Sequence, residues 1–318
     1  MRHFLDFEKP IAGLEGKVEE LRHMSSDGSI NIADEIGKLQ TRIERELKQT
    51  YEKLGAWEKV QVARHPDRPK VSAIFDRLFE DFTPLAGDRN FSEDHAVIGG
   101  MARFRGQSVM VMGTDKGRTT EERVKRNFGM VRPEGYRKAA RLMNIAGRFG
   151  LPVLSFVDTA GAYPGRGAEE RGQAEAIASA IRSCLKLPTP MVAAIVGEGG
   201  SGGAIALATG NRVVMYEHSV YCVISPEGCA SILWRSSDYA RDAAEAMRIT
   251  SDWMYKLRVV DQVVDEPLGG AHRDPNAAID ALGNAFANQL GKMSGMDAVA
   301  LVADRHEKYM RIGDSALD

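Results

Sequence analysis

The stretch MVAAIVGEGGSGGAIALATG, residues 191–210, decides how this chain is read. Its first six residues are apolar without alternation, which is the pattern of a strand buried on both faces. Five glycines then fall within the seven positions Gly197 to Gly203, a composition that costs conformational entropy and so needs a reason. Glycine removes side-chain obstruction and admits positive φ. A turn of this kind, leading into a helix, can aim consecutive backbone N–H groups at a negatively charged oxygen. The chemistry is that of an oxyanion hole or a phosphate cradle; the blander explanation is a tight turn that lets the helix AIALATG pack on the sheet.

Working outward, PVLSFVD (152–158) is a second apolar run of the same type, followed by the Gly-rich Asp158-Thr159-Ala160-Gly161-Ala162-Tyr163-Pro164-Gly165. The segments PEGYRKAARLMNIAGRFG (133–150), with Pro133 in a first-turn position, and AEERGQAEAIASAIRSCL (168–185) read as helices on either side. AVIGGMARF, QSVMVMGTD and VVDQVVDE add β-rich runs. This alternation predicts an α/β protein with parallel strands, whose two Gly-rich loops meet at one carboxyl edge. Upstream, Ile36, Leu39, Ile43 and Leu47 recur at helical spacing in a charged, Gly-poor stretch, which predicts an exposed amphipathic helix. We therefore divide the chain into an N-terminal helical extension, residues 1–90, and an α/β domain, residues 91–318. The extension is either packed on its own domain or an assembly arm.

The composition excludes several classes. With 318 residues, 43% hydrophobic and 27% charged, the chain is ordinary globular material, and 32 glycines show no collagen-like period. A net charge of −2 gives no global case for nucleic acid or acidic membranes. Cys184, Cys222 and Cys229 lack CxxC spacing, so neither a disulfide scaffold nor a thiolate metal site is expected. MRHFLDFEKP carries Asp6 and Glu8 where a signal peptide needs an apolar core, and no run is long enough to cross a membrane. The expected location is cytoplasmic, with no metal held by this chain.

Four further features compete for function. Gly199-Gly200-Ser201-Gly202-Gly203 satisfies GxSxG, the nucleophile elbow of serine hydrolases; that reading needs a His and an acid near Ser201, with His218, His272, His306 and Asp265 as candidates. From Lys116 to Arg141 nine basic residues face three glutamates. Lys116, Arg118, Lys125 and Arg126 are candidates for a patch that attracts a phosphate-bearing cofactor tail, a carboxylated prosthetic group or a partner surface, against the alternative of a solvated, ion-paired helix face. Ser225-Pro226-Glu227-Gly228 has the form of a helix start, and Glu266 to Arg273 that of a compact turn in which His272 suits a surface or capping role better than proton transfer.

In order along the chain, FLDFEKPIAGLE, LGAWEKVQVARHPDRP, LAGDRNF, RNFGM, PEGYRKAARLM, DTAGAYPG, AEERGQAEAIA, GEGGSGGA, VISPEGCASILW and EPLGGAHRDP resemble the alpha-subunit family of bacterial acetyl-CoA carboxylase carboxyltransferases. The chain departs from that pattern at Thr114-Asp115, Ala160 and Lys70. The resemblance implies a crotonase-type (ClpP-like) spiral α/β core. It also implies a beta-subunit partner of related fold, in an assembly of two alpha and two beta subunits, the beta subunit carrying a zinc ribbon. Carboxylate would pass from carboxybiotin, borne on a biotin carboxyl carrier protein and charged by a biotin carboxylase, to acetyl-CoA, giving malonyl-CoA, the first committed step of fatty acid synthesis. By the same resemblance the amides of Gly202 and Gly203 would stabilise the biotin oxyanion, with Gly161, Tyr163, Gly165, Gly199, Gly200, Ser225, Glu227 and Gly228 around the carboxybiotin pocket. A crotonase-like acyl-CoA hydratase or decarboxylase, a GxSxG hydrolase and a noncatalytic assembly subunit remain as alternatives.

Overall fold

A computed structural model describes residues 3–24 and 30–314. After a short turn at Asp6–Glu8, the chain forms α1 (Lys9–Met24), α2 (Ile30–Tyr51), α3 (Ala56–Ala63), α4 (Val71–Leu78), β1 (Glu80–Pro84), β2 (Val97–Phe104), β3 (Gln107–Thr114), α5 (Thr120–Lys125) and α6 (Pro133–Phe149). It continues through β4 (Val153–Thr159), α7 (Arg166–Glu170), α8 (Gln173–Lys186), β5 (Met191–Gly200), α9 (Ser201–Ala208), β6 (Arg212–Tyr216), β7 (Val220–Cys222) and α10 (Pro226–Trp234). The last elements are α11 (Ala240–Ala246), α12 (Ser251–Lys256), β8 (Gln262–Val264), α13 (Pro275–Lys292) and α14 (Ala298–Met310). No helix among the described residues is long and apolar enough to cross a membrane.

The sheet runs β1-β2-β3-β4-β5-β6-β8, antiparallel as far as β3 and parallel from there. The unbroken apolar runs are explained by helices on both faces. Met191, Ala193 and Ile195 of β5 point into a core shared with α6, α8 and α9, while Val192, Ala194 and Val196 point into a second core with α4 and α13. Strands β3, β4 and β6 alternate in the same way, so each buries both of its faces.

Strand β5 also changes neighbours along its length. Val192–Ile195 pair with β6, whereas Glu198–Gly200 pair with β7. The chain spirals at this point, and the Gly-rich segment rides on the second half of the strand. The sequence reading of that segment as a loop is corrected: β5 continues to Gly200, and α9 begins at Ser201 with no connecting residue. The helix expected over 168–185 is likewise two helices, because Gly172 adopts φ +78° and breaks the ladder between α7 and α8. Pro133 opens α6 and left-handed Gly150 closes it.

Within residues 3–90, α1 and α2 form a hairpin around Ile11, Leu14, Val18, Ile43, Leu47 and Tyr51. Further along, α3 packs beside β7 and α11, α4 enters the second core, and β1 pairs with β2. Polar contacts clamp the hairpin to the 266–273 turn. Arg273 reaches Glu15 at 2.6 Å and Glu8 at 3.1 Å, and Tyr51 donates to Glu8 at 3.0 Å. Beside this clamp His65 and His272 stack at 3.8 Å.

Glu8, His65 and His272 bring potential ligand atoms within 4.8 Å of one another, but the surroundings do not suit a cation. Both ring nitrogens of His65 are engaged, by the Asp67 N–H and the His3 carbonyl. Burial, with help from His65, Arg68 and Arg273, pushes His272 down to about 3. An unfolded His titrates near 6.5. Below that pH the unfolded chain takes up a proton that folded His272 refuses, so this share of stability is complete above about pH 6.5 and falls as pH drops towards 3. His272→Gln is expected to remove about 1–2 kcal/mol of the stability lost between pH 7 and pH 5, measured as the difference between urea unfolding midpoints at the two pH values.

Candidate functional site

The carboxyl ends of β4 and β5 approach more closely than side chains permit. A Cβ on Gly197 would lie 2.4 Å from Asp158 Oδ1, and one on Gly200 would lie 2.2 Å from the Ala160 carbonyl oxygen. Gly203, one turn into α9, would meet the Tyr136 hydroxyl at 2.7 Å and the Ala162 nitrogen at 2.8 Å. The loop after β4 is held by Thr159, whose hydroxyl donates to the Gly161 carbonyl at 2.8 Å and accepts from the Gly161 N–H at 3.1 Å. The two Gly-rich segments therefore do meet at one edge, backbone against backbone.

At that edge α9 presents its first turn. The N–H groups of Ser201, Gly202 and Gly203 have no partner within the helix, and the helix dipole adds positive potential there. Gly202 is the open position: a Cβ would meet nothing nearer than Ile177 at 3.6 Å. Ser201 sits at φ +56°, an uncommon conformation for a residue with a side chain. A hydrolase would need a base beside it. Ser201 lines an apolar groove of about 290 Å³ with Ile205, Tyr221, Cys222, Met254 and Tyr309. No His, Asp or Glu lies among the groove's lining residues, and among the described residues no hydrogen bond joins Ser201 to His218, His272, His306 or Asp265.

Beneath the glycines runs a chain of charges. Lys116 joins Asp158 at 2.8 Å and Glu198 at 2.7 Å, and Arg64 joins Glu198 at 2.6 Å and Glu227 at 2.5 Å. Asp158 also accepts the Glu198 N–H at 3.0 Å. Burial alone would raise the Glu198 carboxyl, but Lys116 and Arg64 outweigh it and hold it at about 2. Burial would lower Lys116, and the same two carboxylates raise it instead. Neither group of this pair is poised for proton transfer near neutral pH; they form a fixed, ionised floor. Gly129, at φ +81°, leaves room for Lys116, whose Cγ a Cβ would approach to 2.8 Å.

The expected site residues divide. Gly161, Gly199, Gly200, Gly202 and Gly203 gather at the edge. Gly165 is glycine because the Tyr163 ring folds over it, a Cβ falling 2.2 Å from Tyr163 Cε1; that ring also lies 4.6 Å beneath the Arg132 guanidinium. Ser225 caps α10, accepting the Gly228 N–H at 3.1 Å, and Glu227 is tied to Arg64. The basic run does not make one open patch. Lys116 turns inward to its carboxylates, Arg126 pairs with Asp115 at 3.3 Å, and Arg118 pairs with Asp76 at 2.9 Å; Lys125 is exposed. Sequence reading gave no role to Arg64 or Tyr136. Only the fold brings Arg64, just after α3, to Glu198, and it seals the Tyr136 hydroxyl without a partner beside Gly203.

Comparison with known proteins fits this arrangement. The family described as "Acetyl co-enzyme A carboxylase carboxyltransferase-like" matches residues 4–313. The chain belongs to this carboxyltransferase family. Among similar family members, the acetyl-coenzyme A carboxylase carboxyl transferase subunit alpha of Paramagnetospirillum magneticum is 58% identical over 99% of both chains. That of Methylobacterium nodulans is 59% identical over 98% of this chain and 99% of its own. Among solved structures, the family chain resembles a Pseudomonas malonate decarboxylase hetero-tetramer in complex with coenzyme A at TM-score 0.57, with 16% identity over 70% of this chain and 87% of that one. It also resembles the beta subunit of geranyl-CoA carboxylase from P. aeruginosa at TM-score 0.54, with 17% identity over 74% of this chain and 43% of that one. At such identities the likeness is one of fold, and the spiral α/β core expected from the sequence is the fold observed.

The glycine geometry separates two substitutions that sequence treats alike. Gly200→Ala must push β4 and β5 apart and is expected to cost about 1–3 kcal/mol; Gly202→Ala is expected to unfold at nearly the wild-type temperature. Thermal denaturation of both purified variants checks the contrast. Lys116→Met, which leaves buried Asp158 without its cation while Glu198 keeps Arg64, is expected to cost about 3–5 kcal/mol, read by urea denaturation at pH 7.

Proposed function

We propose that this chain is the alpha half of an acetyl-CoA carboxylase carboxyltransferase and that the start of α9 stabilises the oxyanion formed when carboxylate leaves carboxybiotin. The observation that carries the reading is Gly202. Its N–H lies in a helix first turn with no intrahelical partner, its surroundings are open, and the Gly161 loop lies against its neighbours Gly200 and Gly203 at the same edge. These groups fit an anionic oxygen: the donors are backbone amides, fixed before substrate arrives, and cost no reorganisation during reaction. Carboxybiotin, carried by a separate biotin carboxyl carrier protein, supplies the carboxylate. The amides of Gly202 and Gly203 hold the ureido oxygen, while Gly161, Gly199 and Gly200 shape the wall of its pocket.

The second oxyanion, on the thioester of acetyl-CoA, falls to a beta subunit of related fold. Two alpha and two beta subunits form the assembly, with a biotin carboxylase recharging the carrier, and zinc belongs to the beta subunit. Division of labour of this kind explains why the fixed ion pairs beneath the glycines offer no general base. The base is the substrate nitrogen freed by transfer, positioned rather than activated by protein. Of the N-terminal extension, helices α1 and α2 serve as an assembly arm, while α4 and β1 belong to the core and the sheet.

The decisive assay is malonyl-CoA formation from acetyl-CoA and carboxylated carrier, comparing this chain, the beta subunit, and their mixture. Activity is expected only in the mixture. Gly202→Pro removes one N–H at a helix position that tolerates proline, and is expected to lower kcat by roughly 10²–10³-fold. Gly202→Ala, which keeps the N–H, should retain turnover within a few-fold. Equal turnover of a folded Gly202→Pro assembly and wild type would refute the oxyanion role.

A further inference from the structure

A lysine that no ion pair explains sits at the outer end of the same sheet edge. Lys70 is the residue preceding α4, and its side chain does not cap that helix. It is only 8% exposed, yet among the described residues its ammonium makes no hydrogen bond and no ion pair. Nor is that nitrogen among the sealed polar atoms without partners, so the stem is buried while the tip reaches solvent. Two of the neighbouring cations are committed to acids. Arg68 is spent on Glu266, at 2.5 and 2.9 Å, and on the Val196 carbonyl at 2.7 Å; Lys116 is spent on Asp158 and Glu198. Arg123, on α5, has no side-chain partner among the described residues, and its charge is felt at Lys70.

Position in the fold sets both residues beside the segment that follows β3, where a Cβ on Gly117 would lie 2.9 Å from the Arg123 backbone nitrogen. Val71, next in sequence, packs against Gly113 near the end of β3, a Cβ there falling 2.8 Å from Val71 Cγ1. Lys116 follows that strand, and Asp158 is the only acid among the principal charges acting on Lys70. Asp158 is already neutralised by Lys116. Two spare cations therefore share a locality in which the acid is committed elsewhere. Burial lowers the Lys70 ammonium from its ordinary value, and an anion at its solvent-reached tip would supply the charge partner that the chain does not.

We propose that Lys70 and Arg123 form an anion-binding notch that takes a compact oxyanion, a phosphate or a carboxylate group, at the outer end of the sheet edge. Lysine serves as a point charge and arginine as a planar fork, and together they suit either group. The notch does not depend on the carboxyl-transfer reading, because anion binding is measured without turnover.

The test is isothermal titration of the full chain at low salt with inorganic pyrophosphate and, separately, with malonate. Saturable binding of at least one is expected, weakened tenfold or more by Lys70→Met and by Arg123→Met. Lys70→Arg should bind within a few-fold of wild type, and binding should fall as salt rises. Tighter binding of pyrophosphate assigns the notch to a phosphate group, and tighter binding of malonate to a carboxylate. Because the Lys70 side chain makes no cap bond to α4, melting temperatures near wild type are expected for these variants; if Lys70→Met fails to fold, Arg123→Met carries the test. Absence of saturable binding of both anions, or unchanged affinity in a folded Lys70→Met or Arg123→Met chain, overturns the proposal.

Discussion

The constraint on which the rest of the molecule depends is the distance between two backbones. Strands β4 and β5 close to within a spacing that excludes a Cβ at Gly197 and Gly200, just where β5 exchanges β6 for β7. Were the strands to part there, α9 would no longer start against the Gly161 loop, and its first-turn amides would face a gap. The glycine content is thus a packing requirement first. The chemistry is a consequence of it, because backbone that packs this tightly has its N–H groups fixed in direction.

The charged floor beneath makes sense in the same terms. Polar groups at the edge of a sheet buried on both faces cannot rely on water, so each acid there is matched: Asp158 and Glu198 by Lys116, Glu198 and Glu227 by Arg64, Glu266 by Arg68. Matching drives the Glu198 and Glu266 carboxyls down to about 2 in spite of burial. Groups held so firmly in one ionic form give rigidity and a steady field, but they exchange no protons during turnover. A site with such a floor works by holding charge still, which is what backbone donors also do.

Much of this was legible in the sequence, for physical reasons. Continuous apolar runs announced buried parallel strands, and the Gly-rich segments announced a close approach. Local pattern could not say that Gly199 and Gly200 are strand, because glycine disfavours regular structure and only the pairing with β4 and β7 holds them in it. Gly172 was hidden inside a helical pattern for a related reason: one left-handed residue ends a ladder that composition alone continues. Arg64 and Glu198 are separated by 134 positions, and no periodicity links them. The basic run from Lys116 misled in the opposite direction, since counting charges cannot show which of them turn inward to meet acids.

Arg305 carries a different kind of consequence. From α14 its guanidinium donates to the carbonyls of Cys184, Leu187 and Thr189, closing the end of α8 and the approach to β5. The Leu187 carbonyl therefore waits for a donor 118 residues further along the chain. During synthesis the central strand and the helix before it leave the ribosome long before that donor exists. The nascent core must pass through a stage in which β5 is made but its entrance is unsealed, and completion of the fold is timed by the emergence of α14.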